Sequence, residues 1–437
     1  MEENNNQKQV KLTTIIILIL LVLIIIVGIV LVIFNKNHEN RSSKTEDRNT
    51  TQSEYEQTDT KTTYADTDLS FKFLNMENKK ENMIYSPISI KYALQMLKEG
   101  ANGNTKTQIE NVIGNTDLIK YDNINDVLSL ANALYIRKTY SKYVKDEYKN
   151  KLFNNYNAEI KYDAFKSADN INNWIETKTF GQIKNMLSDE IVTNSDNEMF
   201  LINALAIDMA WKTKFDENDT HGGTFYLEGG NEMTATMMNK ETKSDSISYY
   251  KDNNITAISM DLEQDENEQM EFIAIMPNEN LSNYVENFDT DTLKNITSNL
   301  TLASKTKFGL DISIPKFSFD YNLSLEDDLK SLGITDAFNP YLADFSNMSS
   351  KNPLWVGCAL HKANIDFTEK GIKAAAVTII NSFANGGMIS NEEKPIEIKI
   401  DKSFMYLIRD KKTGEIWFVG TVYEPNSWEN DKANYHY

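Results

Sequence analysis

The chain has 437 residues, 41% of them hydrophobic, which is enough for a sizeable core in one large domain or a few ordinary ones. Acidic residues outnumber basic residues by 64 to 45, a formal net charge of −19, and without a basic cluster this argues against a surface for nucleic acid or heparin. The single cysteine, Cys358, excludes an intramolecular disulfide, and no histidine pair has metal-ligand spacing, so neither a metal nor a cofactor is expected.

An apolar run from Ile15 to Phe34, interrupted only by Gly28, follows a short N-terminal tail of residues 1–14. As a helix it would span about 30 Å, the thickness of a bilayer core. A cleavable signal peptide has a shorter apolar core and small residues at the cleavage site, whereas this run continues directly into Asn35-Lys36-Asn37. The pattern predicts one uncleaved transmembrane helix over residues 15–34.

The orientation of this helix is not decided by charge, because basic residues flank the run on both sides. They are Lys8 and Lys11 before it, and Lys36, Arg41, Lys44 and Arg48 after it. Residues 35–64 are almost free of large apolar side chains, which is typical of a disordered polar stalk. Residues 65–425 show no repeat or second linker and are interpreted as one domain, with a C-terminal tail over residues 426–437.

Helices are predicted mainly in the N-terminal half of this domain. Ser86-Pro87 is typical of a helix start, and the helix should end at Gly100. A second helix is predicted from Thr105 to Ile113, closed by Gly114. Later in the chain, Ser324 and Asp327 form a potential capping box for a helix that ends at Gly333.

Strands dominate the remainder, which makes the fold class α+β. The continuous apolar run from Phe200 to Trp211 suits a strand buried on both faces. Two hairpins are predicted, Ile255 to Leu262 with Met270 to Pro277, and Phe404 to Asp410 with Glu415 to Val422. Half-buried strands are indicated by alternating apolar residues at Phe308, Leu310, Ile312, Ile314, Phe317 and Phe319.

The most informative stretch runs from His361 to Asp410. HKANIDFTEKG, followed by small residues, resembles the strand and hinge before the reactive loop of serpins, and IKIDKSFMYLI resembles the family signature after that loop. Supporting matches are IYSPISIKYALQMLKEGANGNTKTQI, FLINALAIDMAWKTKF and IPKFSFDYNLSLEDDLKSLGITDAFNPYLADFS. The resemblance covers residues 65–425 and implies the serpin fold, with a large central sheet that accepts the reactive loop and smaller sheets around it.

The loop itself has the composition of a strand that could enter a sheet. Alternate residues from the hinge onward would share one uncharged, mostly small face: Ile372, Ala374, Ala376, Thr378, Ile380 and Ser382. No proline lies between Ile372 and Lys394, so every backbone amide there could join a ladder.

The resemblance implies a suicide inhibitor of serine or cysteine peptidases rather than an enzyme. A peptidase would cleave the loop, form an acyl-enzyme and be displaced as the freed loop inserts. The implied hinge comprises Glu369, Gly371, Ile372, Ala374, Ala375, Ala376 and Thr378, with an ion pair between Glu369 and Lys316. The implied polar cluster that governs sheet opening is Ser86, Ser89, Asn203 and His361, with Trp211 at the top of the sheet.

Two counts place the scissile bond differently. Family spacing from the hinge glycine gives Asn385 followed by Gly386, whereas the count back from IKIDKSF gives a position near Glu392. We prefer the first count, because the length that inserts must match the sheet, and the alternatives beside it are Phe383, Ala384 and Met388. No Lys or Arg occurs between Ala374 and Glu393, which disfavours a trypsin-like target.

Two residues depart from the family pattern and keep a second hypothesis open. Ile372 stands where a small residue is usual and Lys373 where an acidic one is usual, so a non-inhibitory serpin that acts as a carrier or surface binding protein is the alternative. A membrane-bound hydrolase is disfavoured by the absence of a GxSxG elbow. An extracellular position of the domain is expected on functional grounds alone.

Overall fold

The computed structural model describes residues 68–114, 118–121, 123–124, 127–263, 269–373 and 394–435. These residues belong to one compact unit, Lys61–Tyr437. None of the described helices is long and apolar enough to cross a membrane. The predicted span of residues 15–34 and the predicted stalk lie outside the described residues.

The described residues form ten α-helices and eighteen strands. The helices are α1 Asp68–Met76, α2 Pro87–Gly100, α3 Gly103–Ile113, α4 Asp146–Tyr156, α5 Asp169–Lys178, α6 Asp189–Thr193, α7 Leu281–Glu286, α8 Thr290–Ser298, α9 Glu326–Ser331 and α10 Trp428–Asp431. The strands are β1 Met83–Tyr85, β2 Leu128–Arg137, β3 Glu159–Asp163, β4 Met199–Ile207, β5 Met209–Ala210, β6 Thr220–Tyr226, β7 Glu232–Thr242, β8 Ile247–Lys251, β9 Ile255–Asp261, β10 Met270–Pro277, β11 Thr301–Leu302, β12 Leu310–Pro315, β13 Phe317–Ser324, β14 Leu360–Phe367, β15 Gly371–Ile372, β16 Ile396–Lys399, β17 Phe404–Asp410 and β18 Ile416–Val422.

The strands pair into four sheets. A seven-stranded sheet has the order β1-β18-β17-β10-β9-β8-β11, and a four-stranded sheet has the order β16-β12-β7-β6. The other two sheets, β13-β14-β15-β5 and β3-β2-β4, are linked through the chain, because β5 follows β4 after one residue, Asp208. They therefore form two halves of one larger surface, with β4 at the edge of one half and β14 in the other.

Helices cover both faces of the β3-β2-β4 half. On one face, Ile171, Trp174 and Ile175 of α5 belong to the same buried cluster as Phe200 and Ile202 of β4. On the other face lies α2, whose first turn is capped as the sequence predicted: the Ser86 hydroxyl accepts the Ser89 amide, and Pro87 is the first helical residue. The prediction that α2 ends at Gly100 is confirmed.

Both predicted hairpins are confirmed. Strands β9 and β10 pair antiparallel from Ile255 opposite Pro277 to Asp261 opposite Glu271. Strands β17 and β18 also pair antiparallel, with a register shift between Ile408 and Arg409. The second predicted helix is present as α3 but begins earlier than Thr105, at Gly103.

The predicted capping box for α9 is wrong. Ser324 is the last residue of β13, where it pairs with Leu360, and the following amide of Leu325 donates to the Ala359 carbonyl at 2.8 Å. These sheet contacts hold Ser324 in extended conformation, so α9 starts only at Glu326 and has no side-chain cap.

The prediction of one strand over Phe200 to Trp211, buried on both faces, is also wrong. The strand is broken at Asp208 into β4 and β5. Along the first half of β4, buried residues alternate with the half-buried Met199, Leu201 and Asn203, because one face borders a cavity. The alternating run at Phe308 to Phe319 is divided at Lys316 between β12 and β13, and Phe308 lies outside both strands and is 39% exposed.

Candidate functional site

The first two residues of the predicted loop are already seated between two strands. Gly371 pairs with Ala210 of β5, and Ile372 pairs with Met209 on one side and Phe367 of β14 on the other. Both pairings are antiparallel, and Ile372 is only 4% exposed. The bulky residue that departs from the family pattern is therefore accommodated in the core.

Gly371 is required at this position by the close approach of β5. A Cβ on Gly371 would lie 2.6 Å from the Cα of Ala210 and would also overlap the Met209 carbonyl oxygen. Since backbone atoms cannot move aside as a flexible side chain can, a larger residue would separate β15 from β5.

The turn between β14 and β15 is held by backbone and indole contacts. The Trp211 indole donates to the Thr368 carbonyl at 2.7 Å, and the Trp211 amide donates to the Lys370 carbonyl at 2.9 Å. The Phe215 amide donates to the Glu369 carbonyl at 3.0 Å. Trp211 is fully buried. Its bonds to the turn place it at this end of the opening, apart from the polar cluster with which it was grouped.

The Glu369 side chain, only 5% exposed, has two partners. Lys316 Nζ lies 3.5 Å from Oε2, which is the ion pair expected at the hinge. The second partner was not predicted: the Tyr435 hydroxyl donates to Oε1 at 2.6 Å and also accepts from Lys316 Nζ at 3.0 Å. Tyr435 lies in the C-terminal tail, and no motif in the sequence pointed to it.

Below β15, an opening separates β4 from β14. A cavity of about 190 Å³ lies there. It is lined by Met199–Asn203 of β4, by residues 354–361 before and within β14, and by Ile90, Ala93 and Leu97 of α2.

The segment between α5 and α6 lies across this opening. Gln182 Nε2 donates to the Ile207 carbonyl at 2.9 Å, and Lys362 Nζ of β14 donates to the Lys184 carbonyl at 2.9 Å. Lys373, the second departure from the family pattern, donates from Nζ to the Phe180 carbonyl at 3.4 Å. Burial lowers the pKa of Lys373. The segment thus contacts both edges of the opening and the base of the loop.

The four polar residues predicted to govern sheet opening are brought together below the opening. The Ser86 amide donates to His361 Nε2 at 3.0 Å, and the Ser89 hydroxyl donates to the Asn203 side-chain oxygen. These contacts join α2 to β14 and to β4. Their effect on sheet opening stays a prediction.

The hydrogen-bond chain continues to two residues that the sequence did not single out. Asn203 Nδ2 donates to Asn132 Oδ1 of β2 at 2.7 Å, and Asn132 Nδ2 donates to the Tyr156 carbonyl at 2.8 Å. Asn132 is a buried amide in the middle of a mostly apolar strand, LSLANALYIR, which is a signal that could have identified it.

His361 is neutral in this arrangement. Because Nε2 accepts the Ser86 amide, the proton of the neutral ring must be on Nδ1. Burial lowers the pKa of His361 to about 4. A protonated ring would place two donors against each other and would add a positive charge at the N-terminus of α2.

The remaining predicted site residues lie outside the described residues. They are the hinge residues Ala374, Ala375, Ala376 and Thr378, the bond Asn385-Gly386, and the alternatives Phe383, Ala384 and Met388. The single thiol, Cys358, is half-buried beside the cavity, where burial raises its pKa.

Comparison with known proteins agrees with this geometry. Residues 65–425 match the family model described as Serpin (serine protease inhibitor). A serpin-like protein of Methanosarcina mazei is 30% identical over 370 residues, which is 80% of this chain and 83% of that protein.

Two solved structures are also similar. The native state of the thermophilic serpin tengpin has a TM-score of 0.69 at 28% identity, covering 87% of this chain and 96% of that one. Thyroxine-binding globulin in complex with thyroxine has a TM-score of 0.68 at 26% identity, covering 83% and 98%. The family is described as protease inhibitors, which are binding proteins and not enzymes. The family match, the relatives and the fold together show that the chain belongs to the serpin family.

Proposed function

We propose that the chain is a suicide inhibitor of serine peptidases, with cysteine peptidases as a further target class. The observation that carries this proposal is the position of β15. Its two residues lie antiparallel between β5 and β14, directly above the opening between β4 and β14. A cleaved loop could therefore continue along a path that already has a strand on each side.

The register of β15 predicts where each loop residue would pair. Continuing the pairs Ile372 with Phe367 and Ile372 with Met209, Thr378 would stand opposite His361 and Asn203. The small face that starts at Ile372 would point toward α2, on the side of the polar cluster. The Thr378 hydroxyl could then join that cluster as the strands separate.

Insertion would be favourable for two physical reasons. Each new backbone ladder bond contributes on the order of 1 kcal/mol net. Inserted side chains would also cover apolar surface of β4, β14 and α2 around the cavity of about 190 Å³, and burial of apolar surface contributes roughly 25 cal/mol per Å².

The chemistry needs only the peptidase's own nucleophile. Its hydroxyl attacks the carbonyl carbon of Asn385, the amine of Gly386 leaves with a proton, and an ester joins the two proteins. Insertion of the loop then carries the ester away from its cleavage position. Deacylation by water fails because the catalytic groups of the peptidase are no longer aligned with the ester.

The membrane anchor and the extracellular position belong to this proposal. Residues 15–34 would hold the domain at the outer face of a membrane, and residues 35–64 would let the domain extend away from the membrane surface. Protease treatment of intact cells tests this: the domain should be degraded from outside while residues 1–14 remain protected.

A non-inhibitory carrier is the second candidate. One observation favours it, the similarity to thyroxine-binding globulin, a structure that holds thyroxine. A carrier would be cleaved in its loop without trapping the peptidase.

One experiment separates the two candidates. Residues 61–437 are incubated with trypsin-, chymotrypsin-, elastase-, subtilisin- and legumain-type peptidases, and the products are analysed on denaturing gels and by mass spectrometry. A complex that survives boiling, with a new N-terminus at Gly386, supports inhibition. Loop cleavage that leaves every peptidase fully active supports a carrier.

A further inference from the structure

The C-terminal tail folds back onto the hinge. The family match ends at residue 425, and the next residue, Asn426, is bonded to two other segments. Its amide donates to the Lys316 carbonyl at 3.0 Å, and its carbonyl accepts the Thr236 amide of β7 at 2.9 Å. Its side-chain oxygen accepts the Ser318 amide of β13 at 3.0 Å.

Side chains of α10 fix the tail on the β6-β7 sheet. The Asp431 carboxylate accepts the Thr236 hydroxyl at 2.9 Å and Asn426 Nδ2 at 3.2 Å. Trp428 lies against Gly222 of β6, where a Cβ would come within 2.6 Å of the indole Cδ1. The tail is thereby attached to β6 and β7 before it reaches the hinge.

Tyr435 is positioned by Trp428, since the two rings stack with centroids 5.5 Å apart and planes 28° apart. An ammonium group can only donate, so the hydroxyl oxygen accepts from Lys316 and its proton must go to Glu369. Burial, together with the Glu369 carboxylate, raises the pKa of Tyr435 far above its usual value. The hydroxyl is therefore a permanent donor to the hinge carboxylate.

These contacts connect the hinge turn to a sheet other than the one that the loop would enter. Glu369 belongs to the turn after β14, whereas the tail is bonded to β7 of the other sheet as well as, through Asn426, to β13 beside β14. The hydroxyl of Tyr435 contacts that turn one residue before Lys370-Gly371, where the loop enters the sheet.

We propose that residues 426–435 form a latch that opposes entry of the uncleaved loop into the opening, and that the contact between Tyr435 and Glu369 holds the latch closed. The proposal rests on the proposed function, because it assumes that the loop can enter the opening. Releasing the contact removes one of the restraints on this turn and lets the uncleaved loop enter faster.

The test compares the full-length wild type with Tyr435→Phe, which keeps the ring stacked on Trp428 and removes only the hydroxyl. Tyr423→Phe is the matched control, because it removes a hydroxyl that donates to Asn78 at 3.0 Å and not to the hinge. Each protein is held in detergent below its thermal transition, and the fraction whose loop remains cleavable by subtilisin is followed with time.

The latch predicts that Tyr435→Phe loses cleavability about tenfold faster than wild type, the rate effect of one lost hydrogen bond to a charged group, while Tyr423→Phe matches wild type. A chain that ends at Asn434 should behave like Tyr435→Phe. Equal rates for wild type and Tyr435→Phe would overturn the latch.

The thermal transition of wild type cleaved in its loop separates the two proposals. If cleavage raises the transition temperature but Tyr435→Phe decays like wild type, the latch alone is overturned. If cleavage gives no rise, the loop does not insert, and both proposals are overturned.

Discussion

The backbone amide of Ser86 donates to Nε2 of His361 at 3.0 Å. This bond connects the N-terminal cap of α2 to β14, at the lower end of the opening that the loop is proposed to fill. Both residues are at least nine-tenths buried. The bond exists only while the imidazole is neutral, so the contact between α2 and β14 should depend on pH.

Acid should therefore weaken the fold through His361. Its pKa is about 4 in the folded protein, against about 6.5 in an unfolded chain. Between these two pH values, His361 is protonated in the unfolded chain but neutral in the folded protein. The contribution is complete above pH 6.5 and is lost as the pH falls toward 4, about 3 kcal/mol in all.

The measurement is the free energy of denaturant unfolding between pH 4 and 7. His361→Gln should remove this part of the pH dependence, whereas His221→Asn, at an exposed histidine, should leave it unchanged. A wild-type slope identical to that of His361→Gln would show that His361 does not titrate in this way.

A charge at the seated hinge residue should abolish insertion. Ile372→Glu places a carboxylate in a position that is 4% exposed, at a cost of several kcal/mol. We expect the variant to be cleaved as an ordinary substrate and to form no stable complex with the peptidase. Ile396→Glu, at a position 37% exposed in β16, is the control and should retain complex formation. Complexes with Ile372→Glu would mean that β15 is not the start of the inserted strand.

The hinge ion pair should contribute measurably to stability. Lys316→Met leaves Glu369 buried with Tyr435 as its neutral partner, and we expect a loss of about 1–3 kcal/mol in the free energy of unfolding. Lys330→Met breaks the solvent-exposed pair with Glu326, and this substitution should change stability by less than about 1 kcal/mol. Equal effects of the two substitutions would argue against a special role for the hinge pair.

The residue at the scissile position should set the target. Asn385→Arg is expected to create an inhibitor of trypsin-like peptidases, since the wild-type loop has no Lys or Arg between Ala374 and Glu393. Ser382→Arg introduces the same charge on the face that would enter the sheet, so trypsin should cleave it without forming a complex. The readout is the boiling-resistant complex on a denaturing gel. If neither variant traps trypsin, the scissile bond lies elsewhere, and Glu392 becomes the next position to test.

Local patterns predicted local structure well. The Ser86-Pro87 cap and the two hairpins depend on nearest neighbours along the chain, and each is present. Patterns failed where distant partners decide the outcome. Ser324 has the spacing of a cap, but pairing with Leu360 keeps it in β13, and the run after Phe200 is apolar throughout although β4 borders an open cavity.

The candidate site shows the same division. The residues joined around His361 and at the hinge were identified through resemblance to a family. Tyr435 and Asn132 were missed, because their roles depend on contacts across 66 and 71 residues of chain that no local spacing encodes.

The measurement that tests the central claim most directly is the thermal unfolding of residues 61–437 before and after cleavage at the Asn385-Gly386 bond. Insertion between β4 and β14 predicts that the cleaved chain unfolds at a temperature higher by more than about 10 °C, because several kcal/mol of new ladder bonds and cavity filling are added. An unchanged or lower unfolding temperature would show that the loop stays outside the sheet and would contradict the proposed mechanism.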